Sequence, residues 1–337
     1  MGKIHALLAQ DVDGKSIAAM RELDIGDLPD AAVTVRVEYS ALNYKDSLAL
    51  CGNRSKIMKS LPFIPGIDLA GEVVDSASDQ FQKGQKVVAT GWGLGERHWG
   101  AYTSLARLRP EWLTLLPEGL STRRAMALGT AGLTALLSVD ALEAGGVRPS
   151  DGDILVTGAT GGVGSLALSL LARRGYGAVA LTGKPERQRE LLALGAKSVI
   201  PREDLDRDPK PLEAERWAGV IDTVGGRIMA SALAQIKHGG VMSACGLAAN
   251  SGLPTTVLPF ILRGVRLQGI DSVYVPADRR PQLWQTLHEL TVGEDLDSVI
   301  HEIDLAQATE IAANMLAGRT YGRTVIRIAG GNQSEQS

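Results

Sequence analysis

The sequence predicts an α/β protein whose middle is a parallel sheet covered by helices and whose two chain ends are mainly β. Three observations predict it. Residues 1 to about 125 are short β-prone runs between Gly, Pro and Asp turns, helix and strand patterns alternate from Arg123, and the alternation stops after Gly269. Alternation specifies parallel strands buried on both faces, because each return to the same sheet needs a helical crossover. With 337 residues the chain has the length of two domains.

Taken in order, residues 33–39, 70–74, 87–90 and 101–106 read as strands bounded by turn residues, and a helix is predicted around 125–143. Asp151 and Gly152 signal a turn before an apolar strand, 154–157. A glycine-rich turn follows, then a helix over 165–174 ended by Gly175, then a strand over 178–182. The pattern continues with a helix at 185–194, strands at 198–200 and 219–222, a helix at 228–235 and a strand at 241–245. After Gly269 come helices at 280–291 and 305–317 and a strand at 323–328, a tail expected to return to the first domain; residues 330–337 look frayed. The apolar stretch 253–270 reads either as an edge strand contacting a second subunit or as a strand buried in the monomer.

The glycine turn is the most informative element. A dinucleotide pyrophosphate needs backbone amides at a helix N-terminus at contact distance, and Gly161, Gly162 and Gly164 keep side chains out of the way. The spacing is a variant of G-x-G-x-x-G, with Ala159 at the first position and Gly158 one place earlier. Together with its flanking strands the turn forms one β-α-β unit of a Rossmann fold. At the end of the second strand an NAD enzyme usually places a carboxylate for the ribose 2′-OH. Here stand Thr182, Gly183 and Lys184, with no carboxylate before Glu186 and with Arg187 and Arg189 following, so the local charge favours a 2′-phosphate and NADPH. The alternative is that these charges are solvated residues opening the next helix.

Composition narrows the function classes. Hydrophobic residues make up 45% of the chain, enough for a sizeable core, and a formal net charge of -3 with scattered basic residues argues against a nucleic-acid partner. The N-terminus lacks a signal-peptide apolar region, and no stretch reads as an uninterrupted membrane span, so a cytoplasmic protein without membrane association is expected. Cys51 and Cys245 fit a reducing compartment better than a disulfide scaffold. The histidines, His5, His98, His238, His288 and His301, show no metal-ligand spacing, so no metal is expected.

Several blocks carry a family resemblance: ALNYKDSLAL from Ala41, PGIDLAGEV from Pro65, TGWGLGERHWGAYTSLA from Thr90, GTAGLTAL from Gly129, TGATGGVG from Thr157, IDTVGG from Ile221 and GRTVIRI from Gly322. They span nearly the whole length and resemble the medium-chain dehydrogenase/reductase superfamily, in its zinc-free quinone-oxidoreductase branch. Within that branch NYKD, PFIPGIDLAG, GWGLGERHWG, the TGK strand end and ACGLAANSGLPTTVLPFILRGVRLQGIDSV look like the YhdH/AcuI-type acrylyl-CoA reductases. The resemblance implies a discontinuous GroES-like β-barrel catalytic domain (1–125 and 270–337), a Rossmann domain (126–269), an active site in the cleft between them, and a homodimer. It implies NADPH-dependent reduction of acryloyl-CoA to propanoyl-CoA. A broader quinone or enone reductase and a non-catalytic NADPH-binding sensor are the alternatives. Zinc-dependent relatives carry G-H-E where this chain has Gly66, Ile67 and Asp68.

Reducing an enoyl thioester takes a hydride at the β-carbon, a proton at the α-carbon and stabilisation of charge on the thioester oxygen. Tyr44 is the first catalytic candidate, as a phenol that donates to the substrate or packs on the nicotinamide, with Asn43 as a neighbouring donor. Asp46 reads as the N-cap of a helix starting at Ser47. Asp68 is a candidate for orienting the cleft, against a structural turn carboxylate, and Thr130 for contacting the nicotinamide, against a helix cap. The resemblance and the local pattern place Thr160, Gly161, Gly162 and Val163 on the pyrophosphate and Thr182, Gly183 and Lys184 on the 2′-phosphate, with Arg202 toward the adenine. By resemblance Leu247, Ile261, Ser272 and Arg323 line the nicotinamide end or close the cleft, the alternative for Leu247 and Ile261 being core. For the phosphates of coenzyme A the candidates are Arg97, Arg107 and Arg109, with no choice among them, and the favoured alternative for each is a solvated surface arginine.

Overall fold

The computed structural model describes residues 2–51, 57–293 and 296–328. They fall into two compact units. The first takes in the chain up to Thr130, Val273–His288 and everything from Ile300; the second takes in Ala131–Ser272 and Glu289–Val299. The frayed tail expected at 330–337 lies outside the described residues.

The first unit opens with strands β1 (Lys3–Val12) and β2 (Lys15–Asp24), an antiparallel hairpin that the sequence pattern did not reveal. Its strands are rich in Ala, Leu, Lys and Glu, which favour helix. The turn decides: Asp13 and Gly14 take φ of 52° and 78°, the left-handed pair that matches hairpin twist. Then come β3 (Val33–Leu42), α1 (Tyr44–Cys51), β4 (Asp68–Ser76), β5 (Lys86–Thr90), β6 (Leu105–Leu108), β7 (Thr114–Leu115) and α2 (Thr122–Ala144). The strand expected at 101–106 starts only at Leu105, because the preceding backbone bonds to a loop instead: Gly100 donates to Ile64 at 2.6 Å and Tyr102 to Pro65 at 3.0 Å.

The second unit continues with β8 (Ile154–Thr157), α3 (Gly162–Arg173), β9 (Ala178–Thr182), α4 (Gln188–Ala193), β10 (Ala196–Pro201), β11 (Trp217–Asp222), α5 (Gly226–Ala234), β12 (Ile236–Ala244), α6 (Leu258–Arg263) and β13 (Arg266–Gly269). The chain closes with α7 (Arg280–Thr291), β14 (Ile300–Asp304), α8 (Ala308–Leu316) and β15 (Arg323–Arg327).

In the second unit six parallel strands run in the order β10-β9-β8-β11-β12-β13. The order reverses between β8 and β11, and ligands of doubly wound sheets bind at that switch point, beyond the carboxyl ends of the strands. Strands β8, β9 and β11 are buried at every residue, as their unbroken apolar runs require, and Leu155, Val179, Val220 and Met242 belong to the core. The first unit holds a sheet in the order β14-β15-β3-β4-β5-β7, with β6 also pairing β3, over a core that includes Val33, Val35, Leu69, Val87 and Leu108. Helix α2 is long and apolar enough to cross a membrane, yet 78% of that window is buried inside the protein, as in a core helix. Its regular course breaks at Gly129, with φ 50° and ψ -153°.

Candidate functional site

In the second unit the glycine turn leaves β8 and enters α3. Helix α3 starts at Gly162, three residues earlier than the sequence pattern indicated, with Gly161 as its N-cap. The glycines divide the work. Gly158 has φ 59°, and a Cβ there would lie 2.3 Å from Thr223 Oγ1; a Cβ on Gly164 would lie 2.5 Å from the Gly158 carbonyl oxygen. Those two let β8, α3 and the β11 end pack closely, while Gly161 keeps the approach to the helix end open. The Gly161 amide donates to Gly158 O at 2.8 Å, so the amides left to an incoming phosphate are those of Gly162 and Val163, whose helix end also carries the positive end of its dipole. Buried Asp222 ties the switch point together: Thr157 Oγ1 donates to its Oδ1 at 2.7 Å and the Gly225 amide to its Oδ2 at 2.8 Å.

Beside this turn, β9 ends at Thr182. Its hydroxyl lies 3.2 Å from Thr160 Oγ1 and accepts from the Lys184 amide at 3.0 Å. Lys184 is half-buried, and desolvation lowers the pKa of its ammonium. Arg202 follows β10 and lies against the same strand end, since a Cβ on Gly183 would be 3.4 Å from its Cδ. Thr160, Thr182, Lys184 and Arg202 thus gather at the tip of β9, and the glycine turn lies beside them.

The first unit contains a buried charged cluster centred on Asn43. Its Nδ2 donates to Asp46 Oδ2 at 3.1 Å and to Asp68 Oδ2 at 3.0 Å, and its Oδ1 accepts from Arg323 Nη1 at 3.0 Å. Asp46, Asp68 and Arg323 are 1%, 0% and 3% exposed. Thr130 completes the shell, its amide donating to Asp68 Oδ2 at 2.9 Å and its hydroxyl to Asp68 Oδ1. Gly129 makes that approach possible, because a Cβ there would sit 2.6 Å from Asp68 Oδ2. Burial, and then the neighbouring Asp68 charge, push the Asp46 carboxyl up to about 7, against bonds from Asn43 and from the Ile67 amide at 3.0 Å that favour its ionised form. Burial likewise lowers the Arg323 pKa, which the two aspartates raise, and pushes the Tyr102 phenol well above its usual value.

This cluster changes several expectations. Asp46 is not the cap of a helix beginning at Ser47: α1 begins at Tyr44, and Asp46 reaches back from its first turn to the Asn43 amide at 2.9 Å. Asn43 spends both side-chain hydrogens on carboxylates, which leaves it as the hub of the cluster. Arg323 gives Nε to Ala127 O at 2.8 Å and Nη2 to Met126 O at 3.3 Å, so its buried guanidinium is bound up in the protein and reaches the start of α1 through Asn43. Tyr44, next to the hub, is 38% exposed and makes no hydrogen bond among the described residues. Asp46 escaped notice as a cluster member because one buried polar residue on a short helix leaves no periodic signal, and Tyr102 because it lies in an irregular segment before β6.

The remaining candidates separate. Ser272 is 9% exposed and accepts from Thr134 Oγ1 at 2.9 Å. Leu247 and Ile261 are 55% and 67% exposed, which overturns the core alternative for both. Arg107 reaches Leu28 O at 3.5 Å, and Arg109 lies 5.3 Å from the Trp112 ring. Arg97 is exposed, with its stem over Gly93 on the loop whose Glu96 pairs with Lys45 at 2.9 Å. That loop rests on Arg280, a residue the sequence pattern did not single out: it is 1% exposed, donates to Thr90 O at 2.8 Å and Val273 O at 3.0 Å, and lies 4.7 Å from the Trp92 ring. Both thiols are held back: burial pushes Cys245 up to about 12 and raises Cys51.

Comparison with known proteins agrees with this geometry. Residues 29–118 match the family model described as alcohol dehydrogenase GroES-like domain, and residues 162–292 match the one described as zinc-binding dehydrogenase. The chain is 48% identical over 325 residues to a protein named probable acrylyl-CoA reductase AcuI from Escherichia coli K12, covering 96% of this chain and 100% of that one. It is 46% identical over 316 residues to acrylyl-CoA reductase AcuI of Ruegeria pomeroyi, covering 94% and 96%. The crystal structure of E. coli K-12 YhdH with bound NADPH superposes with a TM-score of 0.93 at 48% identity, covering 97% of this chain and 100% of that one. The second family description names zinc, but the described residues contain no group of three His, Cys, Asp or Glu side chains that could hold a metal ion, and Asp68 is fully engaged by Asn43 and Thr130.

Proposed function

Because the chain belongs to the AcuI/YhdH acrylyl-CoA reductase family, in the quinone-oxidoreductase branch of the medium-chain dehydrogenase/reductase superfamily, we propose that it reduces the C=C bond of acryloyl-CoA to propanoyl-CoA with NADPH. The observation that carries the reading is full-length likeness to reductases of that name, joined to a phosphate seat whose strand end bears Lys184 where an NAD site would carry a carboxylate.

Bound NADPH supplies the hydride. The chain's own residues do the rest. The amides of Gly162 and Val163 with the Thr160 hydroxyl hold the pyrophosphate, and Thr182, Lys184 and Arg202 hold the 2′-phosphate. Leu247 and Ser272 serve the nicotinamide end. The Tyr44 phenol, free of other partners, hydrogen-bonds the thioester oxygen as charge develops there and is the proton donor of the site. Asn43, Asp46, Asp68, Thr130 and Arg323 fix the backbone immediately before Tyr44, which limits where its phenol can point. Arg97, the one arginine of its group left with an exposed and unstacked side chain, meets the phosphates of coenzyme A.

The partner is a second copy of the chain. Strand β13 is exposed at all four residues and forms the outer edge of its sheet, with Leu267 on it, while Val257, Ile261 and Leu262 on and before α6 are 64%, 67% and 59% exposed. An exposed sheet edge beside an exposed apolar helix face is a surface for pairing. Two thiols in no disulfide fit a cytoplasmic setting.

Following NADPH absorbance with purified protein and acryloyl-CoA, longer enoyl-CoA esters and a simple quinone tests the reading. Acryloyl-CoA is expected to be the best substrate by kcat/KM. A quinone turned over better than every thioester, or NADH used better than NADPH, overturns it.

A further inference from the structure

Arg202 is held by a neighbour that no reading of the glycine turn includes. Its Nε donates to Asp206 Oδ2 at 2.9 Å, one helical turn further on, and Arg227 Nη2 donates to the other oxygen, Asp206 Oδ1, at 3.1 Å. Arg227 Nη1 also reaches the exposed Asp208 at 3.5 Å. Asp206 has a side chain only 28% exposed, whereas the two arginines it joins are 44% and 53% exposed. All three line one cavity of about 670 Å³, floored by Gly225, Gly226 and Pro254. Arg202 therefore borders the cavity on one side and Gly183, at the tip of β9, on the other.

We propose that Asp206 is a positioning residue for cofactor choice: it fixes Arg202 by its Nε, so that the two terminal nitrogens stay available to a 2′-phosphate at Gly183 and Lys184. This rests on the NADPH reading above and extends it to the residue that holds Arg202. An arginine held at Nε keeps its planar fork for bidentate recognition, whereas a free one loses rotamer entropy each time it binds. The carboxylate also acts against binding, since its charge repels a phosphate. Two observations settle which effect wins. The charge is shared between two guanidiniums, and Asp206 meets Arg202 on the nitrogen that a terminal fork leaves unused.

The test is calorimetric and independent of turnover, with adenosine 2′,5′-bisphosphate and adenosine 5′-monophosphate as probes on the full chain. Wild type binds the bisphosphate more tightly. Asp206→Asn weakens the bisphosphate about five- to tenfold, the scale of fixing one long side chain, and leaves the monophosphate unchanged. In an Arg202→Ala background the same substitution adds nothing. Equal weakening of both probes, tighter bisphosphate binding by Asp206→Asn, or an undiminished effect without Arg202 overturns the proposal. A wild type that does not distinguish the two probes overturns the NADPH reading itself. Arg227→Ala, which leaves the Asp206 charge to Arg202 alone, is expected to weaken the bisphosphate while sparing the monophosphate, and tighter bisphosphate binding there counts against the proposal as well.

Discussion

Gly129→Ala probes the buried cluster most directly. At φ 50° and ψ -153° the backbone lies where only glycine is comfortable, a cost of about 1–3 kcal/mol for alanine. The new Cβ would also stand 2.6 Å from Asp68 Oδ2 and 3.0 Å from Arg323 Nη2. To reach ordinary contact at 3.4 Å the carboxylate must retreat by about 0.8 Å (3.4 less 2.6), which breaks its bond from the Thr130 amide. A lost hydrogen bond to a charged group adds about 1.5–3 kcal/mol, for a total of about 3–6 kcal/mol. Gly84→Ala is the control, because Gly84 has φ 92° with nothing within 4 Å of its Cβ and so carries the backbone cost alone. Urea denaturation of both variants, with steady-state kinetics, reads the difference. Gly129→Ala is expected to be the less stable and to lower kcat, with little change in KM for NADPH. If the two variants lose equal stability, the claim that Gly129 exists to admit Asp68 is wrong.

Three further outcomes are expected. The Asp46 carboxyl, raised to about 7 in the folded chain, binds a proton more tightly folded than unfolded, so stability from this group falls as pH climbs from about 4 to 7 and is level above that. Denaturation midpoints at pH 5 and pH 8 should therefore lie closer together in Asp46→Asn than in wild type, and an unchanged gap contradicts the assignment. Tyr44→Phe should cut kcat by about a hundredfold and leave the fold intact, as removing a proton donor or an oxyanion contact does; wild-type turnover would eliminate Tyr44. Ile261→Asp combined with Leu267→Asp should shift light-scattering mass from dimer to monomer, and a dimer that survives both places the subunit contact elsewhere.

Much of the second unit was legible because its signals are local. The runs at 154–157, 178–182 and 219–222 are strands, since an apolar segment between turn residues that is buried on both faces needs no distant partner to be recognised. That Thr160 and Thr182 lie side by side at the end of this turn was legible for the same reason, through their place around the glycines. The hairpin β1–β2 was not, because its Ala- and Leu-rich strands contradict the Asp13–Gly14 turn that fixes them. The buried cluster was legible only in part. Asn43, Asp68, Thr130 and Arg323 stood out singly, but what joins them is contact across as much as 280 residues of chain between Asn43 and Arg323, which no local pattern records. Asp46 shows the consequence: read locally it caps a helix, whereas tertiary burial makes it a raised acid beside a second carboxylate.

The state of the two thiols bears on how the chain would fare beside the substrate proposed for it. An acryloyl thioester is a Michael acceptor that alkylates thiolates, and a reactive cysteine near it would be consumed. With its thiol pushed up to about 12 by burial, Cys245 stays in the unreactive thiol form at neutral pH. Cys51, the other thiol, is also raised by desolvation and directs its Sγ to the Thr309 carbonyl at 3.5 Å. Desolvation of both thiols thus works against alkylation of the chain by an electrophile of that class.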